Sequence, residues 1–235
     1  MGVGALVLVA ALGSLYIWRT TPAATKTAPP GRGEPLITTT TRPVPADRLD
    51  AILLSPAEIG TLMRTPNLHP DPTERDMISP TYTVSRPECL SALHAVVAPA
   101  YQGSDWTAVY SQYSAEPGTS IDHEVRQGVV AYPSADQADA FLQSSLAKWK
   151  SCVGQTVTVT NADGMSRRVT FENLIGVFPK ISLFSTIDAP QDWACQRAMR
   201  SVSNVVIDVG VCGRGITDDA SRIAYQMSGN VDKIS

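Results

Sequence analysis

The sequence is poor in the residues that carry out chemistry. It has three histidines and four cysteines in 235 residues, and its charged fraction is 17%, below the roughly 25% of an ordinary soluble chain. None of the cysteines has a C-x-x-C neighbour, and His69, His94 and His123 are scattered, so a zinc site is not expected. The run His123-Glu124-Val125-Arg126-Gln127 begins like H-E-x-x-H but ends in Gln, and it lies in a strand-like stretch, whereas that motif needs a helix. There is no G-x-S-x-G for a serine hydrolase. Gly210, Gly213 and Gly215 have the wrong spacing for a dinucleotide or phosphate loop. The expectation is a chain without its own catalysis, cofactor or metal. An excess of either charge is also missing. The net charge of −3 supplies no field toward nucleic acid, so no nucleic-acid partner is expected.

What the chain does have begins at its start. Gly2 to Trp18 carries no charge and ends in Tyr16 and Trp18. At about 1.5 Å per residue it reaches roughly 26 Å, close to the ~30 Å hydrocarbon core. Residues 1–18 are read as a single-pass transmembrane anchor; the alternative is a signal cleaved near Thr21-Pro22-Ala23, leaving a secreted protein. Arg19, Lys26 and Arg32 follow the span and none precedes it, which by the positive-inside rule would leave the rest in the cytoplasm. The cysteines argue for an oxidising compartment instead, and that is the reading preferred here. Residues 19–47 hold six prolines and the run Thr38 to Thr41. Such a stretch cannot bury enough apolar surface to offset its ordering entropy. It is read as an extended stalk, reaching at most roughly 90 Å.

The globular part is placed at 48–235, with 43% hydrophobic residues in the whole chain to build a core. A short helix is expected over 46–54. Ser55-Pro56-Ala57-Glu58 forms a capping box that opens a helix to about Arg64. Ser85-Arg86-Pro87-Glu88 and Ser134-Ala135-Asp136-Gln137 repeat that signature, before Cys89 to Val97 and before Ala138 to Trp149 respectively. A last helix is expected from Asp218 to the C-terminus. Strands are expected over 106–116, 123–132, 156–160, 167–171, 181–187, 193–201 and 205–212, with Asn161-Ala162-Asp163-Gly164 as a hairpin turn. The stretch 65–83 reads as a long loop. The class is α+β: a mostly antiparallel sheet with helices packed on it.

Cys89, Cys152, Cys195 and Cys212 allow three pairings. If Ser203-Asn204 is a two-residue turn, Val202 faces Val205 and Cys195 faces Cys212. Cys89 is then left for Cys152. The turn is not an ideal Asn-Gly, so spacing alone points to this pairing without fixing it.

Several segments, taken in order, carry a resemblance. They are Leu53-Leu54-Ser55-Pro56-Ala57-Glu58-Ile59, Arg86-Pro87-Glu88-Cys89, Val129 to Ser134, Trp149-Lys150-Ser151-Cys152, Trp193 to Ala198, and the strand Val205 to Cys212. Over about residues 47–233 the chain resembles the extracellular sensor domain of mycobacterial PknH-type receptor serine/threonine kinases. The resemblance implies an α+β fold, disulfides paired first-to-second and third-to-fourth, and a ligand-binding cleft. No kinase precedes the apolar segment and no lipidation cysteine follows it, so the expected form is membrane-anchored without its own kinase. The expected partner is a small molecule or cell-envelope ligand. Trp106, Tyr110, Arg126, Arg197 and Asp208, rings and charges within predicted strands, are the candidate ligand contacts. Two other roles stay open: an extracytoplasmic hydrolase with an unrecognised site, and a cell-envelope interaction scaffold.

Overall fold

Period-two alternation carries the longer strands of the sheet. The computed structural model describes residues 42–118, 121–188 and 193–235. The expected membrane segment and the stalk up to Thr41 lie outside them. Among the described residues no helix is long and apolar enough to cross a membrane. The strands are β1 (His69–Pro70), β2 (Tyr82–Val84), β3 (Ala108–Ala115), β4 (His123–Ala131), β5 (Thr156–Asn161), β6 (Ser166–Val177), β7 (Lys180–Ile187), β8 (Trp193–Val202) and β9 (Val205–Arg214). They join one sheet in the order β1-β3-β4-β9-β8-β7-β6-β5-β2. Every neighbouring pair in it is antiparallel.

Helices cover both faces. α5 (Asp219–Ile234), α1 (Pro56–Met63) and a 3-10 helix (Ala46–Ile52) pack on one. α2 (Leu90–Leu93), α3 (Ala98–Tyr101) and α4 (Ala135–Cys152) pack on the other. β9 lies between them and shows why both faces close. Val205, Ile207, Val209 and Val211 join the core under α5. The alternate set, Val206, Asp208, Gly210 and Cys212, points to the α4 side. Apolar residues three and four apart line α4 (Ala138, Phe141, Leu142, Trp149) and α5 (Ala220, Ile223, Ala224, Met227, Val231), and all are buried.

The caps at Ser55 and Ser134 form. Ser55 Oγ accepts from the Glu58 N–H while Glu58 returns a bond to Ser55 N–H, and Ser134 Oγ accepts from Gln137 N–H. The bonds to Ser55 hold the Glu58 carboxyl below its ordinary range. The third expected cap does not form. Ser85 Oγ accepts from Thr158 N–H instead, across the β2–β5 edge. The helix expected there breaks into a 3-10 turn (Pro87–Cys89), α2 and α3. The break has a cause: Val96 gives its N–H to Asp208, and Pro99 cannot continue an i to i−4 ladder. The stretch 46–54 is 3-10 rather than α. The expected loop 65–83 contributes the short strands β1 and β2, and β6 extends to Val177. Val44 is buried, and its N–H donates to Asn204 Oδ1 at 2.7 Å, so the fold takes in residues just before Arg48.

Both disulfides are present: Cys89–Cys152 ties the 3-10 turn that leads into α2 to the last residue of α4, and Cys195–Cys212 joins β8 to β9. The β8–β9 register matches the expected turn, with Val202 opposite Val205 and Cys195 opposite Cys212.

Candidate functional site

A cleft arises where α2 stops short. After Leu93 the chain turns over the sheet, and Val96 takes a φ of 51°, a left-handed conformation unusual for a β-branched residue. Three contacts hold it. The Val96 N–H donates to Asp208 Oδ2 at 2.8 Å, and its carbonyl accepts from Ile78 N–H at 2.9 Å. Its side chain rests on Gly128, where a Cβ would come within 2.6 Å of Val96 Cγ1. Leu93 to Val97 thus forms a shoulder above the α4-side face of the sheet. Two cavities, of about 220 and 250 Å³, adjoin this shoulder and share Leu93, His94, Glu124 and Cys212 as walls. The first continues over Val159, Met165, Val169 and Ile187, with Arg167 and Asn161 among its walls. The second continues toward Tyr82, Tyr113, Arg126 and Gly210. Both cavities are mainly apolar, and each carries a cation, Arg167 in the first and Arg126 in the second, beside the shared Glu124.

Beneath the second cavity lies a closed charge network. Asp208 is fully buried and Arg197 is 2% exposed. Asp208 accepts from Arg197 Nη2 at 2.5 Å, from the Tyr101 hydroxyl at 2.7 Å and from Val96 N–H. Burial, and then the adjacent Asp208 carboxylate, push the Tyr101 hydroxyl pKa well up, so it stays a donor. The Arg197 guanidinium also lies 5.6 Å from the Trp149 ring centroid. On the cleft wall, Arg126 meets Glu74 at 2.6 Å and lies over the Tyr113 ring, whose hydroxyl donates to Glu124 at 2.7 Å.

The five predicted contacts therefore divide. Arg126 lines the cleft, while Arg197 and Asp208 sit beneath it as an ion pair. Trp106 packs at the edge of the α4-side core, and Tyr110 at the edge of the α5-side core with Arg75 over its ring. Neither lines these two cavities. Tyr82, His94, Glu124, Arg167 and Gly210 were not picked out by their pattern as site residues. Only Glu124 carried a local signal: it sits two residues from Arg126 on one strand and so shares its face.

His94 is exposed to solvent, with the cleft walls packed about its ring. That crowding, with the charges of Arg197 and then Arg126, lowers its pKa to about 4. The unfolded chain takes up this proton near 6.5, whereas the folded one resists it until about 4. Between those values the unfolded state binds more protons, so stability is lost as the pH falls through the window. Urea melts between pH 6.5 and 4 should show this slope, and His94→Gln should flatten it. A ring titrating near 6.5 by NMR would contradict the expectation.

Of the residues lining the two cavities Glu124 is the single carboxylate, and the two cysteines are bonded to each other. Among the described residues no cluster of three or more His, Cys, Asp or Glu is placed to hold a metal. The chemistry on offer is hydrogen bonding, charge and apolar contact.

A disulfide-stapled antiparallel sheet with a cleft on one face is the architecture of an extracytoplasmic domain class. The chain belongs to the PknH-like extracellular domain family, whose pattern residues 44–230 match. It is 40% identical over 235 residues to the serine/threonine-protein kinase PknH of Mycobacterium bovis, a match covering 99% of this chain and 37% of that protein. The PknH of Mycobacterium tuberculosis matches at the same 40%, with 35% of its length covered. The chain thus spans about a third of the length of the curated relatives it matches. The crystal structure of the extracellular domain of PknH from Mycobacterium tuberculosis superposes with a TM-score of 0.79 at 42% identity, covering 82% of this chain and 98% of that one.

Proposed function

We propose that this chain is an extracytoplasmic ligand-binding domain of sensor type, held at a membrane by residues 1–18, and that its ligand occupies the cleft under the Leu93–Val97 shoulder. The observation that carries this reading is the cleft itself: two adjoining cavities with common walls, each mainly apolar with a few polar and charged side chains, the usual make-up of a small-molecule site. Membership in a family described as an extracellular domain supports it. In the relatives such a domain belongs to a kinase; here occupancy of the cleft is the corresponding input signal. The test is a fragment screen read by amide chemical shifts. Fragments that bind should perturb residues 93–97, 124–126 and 210–212 together. Binding confined to other surfaces would remove the cleft from consideration. For the anchor, a reporter active only when exported, fused after Ser235, should be active and should sediment with membranes.

A further inference from the structure

We propose that the tip of the β6–β7 hairpin, residues 175–180, lies in the surface of a phospholipid bilayer, with Ile175, Val177 and Phe178 among the headgroups and Lys180 on the lipid phosphates. The inference goes beyond the cleft and rests on the anchor part of the reading above.

The fold brings this tip to the end of the domain at which the chain enters. The Ser203 hydroxyl donates to the Arg42 carbonyl at 3.4 Å, and Val44 N–H donates to Asn204 Oδ1 at 2.7 Å, so the first described residues lie on the β8–β9 turn. The β6–β7 turn stands at the same end of the sheet. Lys180 is opposite Arg200, and Ser201 N–H donates to the Pro179 carbonyl at 3.1 Å. With β7 between β6 and β8, the two turns are about 10 Å apart, which is two strand spacings. A domain tethered to a membrane through Arg42 therefore carries this tip beside its tether.

The tip is also where apolar surface gathers. Seven large hydrophobic residues are exposed among the described residues, and three of them, Ile175, Val177 and Phe178, fall within four positions here. Ile175 is 62% exposed and Val177 72%. The register explains why they are bare. Ile175 stands opposite Ser182, and Ser182 opposite Ala198, which belongs to the core under α5, so Ile175 and Val177 point to the α5 side. But α5 packs over β8 and β9 and ends its cover at a cavity of about 260 Å³ walled by Ile175, Lys180, Ala198, Arg200 and Ala224. Contiguous exposed apolar side chains mark a surface that meets a partner or a membrane. Charge favours the membrane. Residues 175–182 and 199–204 hold two cations, Lys180 and Arg200, and no acid, and among the described residues neither cation has a carboxylate partner. Apolar side chains beside cations suit the interface of a bilayer and its phosphates. A second copy docked on the same patch would instead set these cations against their own counterparts.

The test is methyl NMR of the full chain in phosphatidylglycerol nanodiscs that carry a nitroxide on the lipid headgroup. The Ile175 and Val177 methyls should relax at least threefold faster than in nitroxide-free discs. The methyl of Met165, which is 66% exposed but precedes β6 at its far end, should change little. Val177→Asp, at an exposed position, should cut the enhancement at Ile175 at least threefold with no fall in melting temperature, and Lys180→Glu should cut it about twofold. Equal enhancement at Met165, unchanged relaxation at Ile175 and Val177, or indifference to Val177→Asp would each overturn the proposal. Shifts of these methyls that grow with protein concentration in nitroxide-free discs would assign the face to a second copy and overturn it as well. A chain that sediments with membranes but shows no enhancement at the tip keeps the anchor and loses the inference; a chain that does not sediment loses both.

Discussion

Replacing Cys89 and Cys152 together by alanine should destabilise the domain by about 4 kcal/mol. The bridge joins residues 63 apart, and the chain-entropy model assigns a loop of that size about 4 kcal/mol of lost freedom in the unfolded state. For a domain of this size the melting temperature should fall by roughly 8–16 °C. The same replacement of Cys195 and Cys212, which are 17 apart, should cost about 3 kcal/mol in that model, and the β8–β9 ladder already holds those strands in register. The two bridges also differ in what they steady. Cys89–Cys152 clips the start of α2 to α4, and α2 leads directly into the shoulder over the cleft. Its loss should therefore speed hydrogen exchange at Leu93 to Val97 before global unfolding. Both sulfurs of that bridge are fully buried, whereas Cys195 and Cys212 line a cavity, so mild reductant should open Cys195–Cys212 first. Equal urea midpoints for the two double variants, or a larger loss from the Cys195 pair, would contradict this ordering.

The elements legible in the sequence were those whose signals are local. Ser134 caps α4 and the residues behind it repeat at helical spacing, so that helix forms from its own pattern. The β8–β9 register follows from a two-residue turn at Ser203-Asn204, where Ser203 takes a φ of 52°. The failed cap at Ser85 had the same local signature as the successful ones. It lost to tertiary bonds, with Thr158 taking the Ser85 hydroxyl and Asp208 taking the Val96 N–H. β1 and β2 are too short to show a period and exist as edges added to β3 and β5. The cleft was less legible because its walls come from Tyr82, His94, Glu124, Arg167 and Gly210, on five separate elements or links. Charges within strands did flag Arg126, Arg197 and Asp208. Arg197 and Asp208 meet as diagonal neighbours on one face, since Arg197 stands opposite Gly210 and Asp208 opposite Met199, the register the two-residue turn implies. Tyr110 alternates onto the α5 face, which no count of aromatics along β3 could reveal without knowing which face holds the cleft.

Asp208→Ala should cost about 3–5 kcal/mol, the usual penalty for leaving a buried charge without its partner. The carboxylate accepts from Arg197, Tyr101 and Val96 at once, so its removal leaves a guanidinium, a hydroxyl and a backbone N–H unpaired in the interior. It also releases one of the contacts that hold Val96 in its left-handed conformation. Arg197→Ala should fall in the same range, because it leaves the Asp208 charge behind. The double variant Arg197→Met with Asp208→Leu should cost clearly less than the two single losses added together, since it removes both charges and keeps the volume. Arg126→Ala is the contrast. Its side chain is 22% exposed and its partner Glu74 48% exposed, and an ion pair so open to water is worth about 0–1 kcal/mol. Urea midpoints at pH 7 decide. An Asp208→Ala variant within about 1 kcal/mol of the parent, or strict additivity in the double variant, would mean that the pair is not the closed network described. A large loss at Arg197 speaks only for its bond to Asp208 through Nη2.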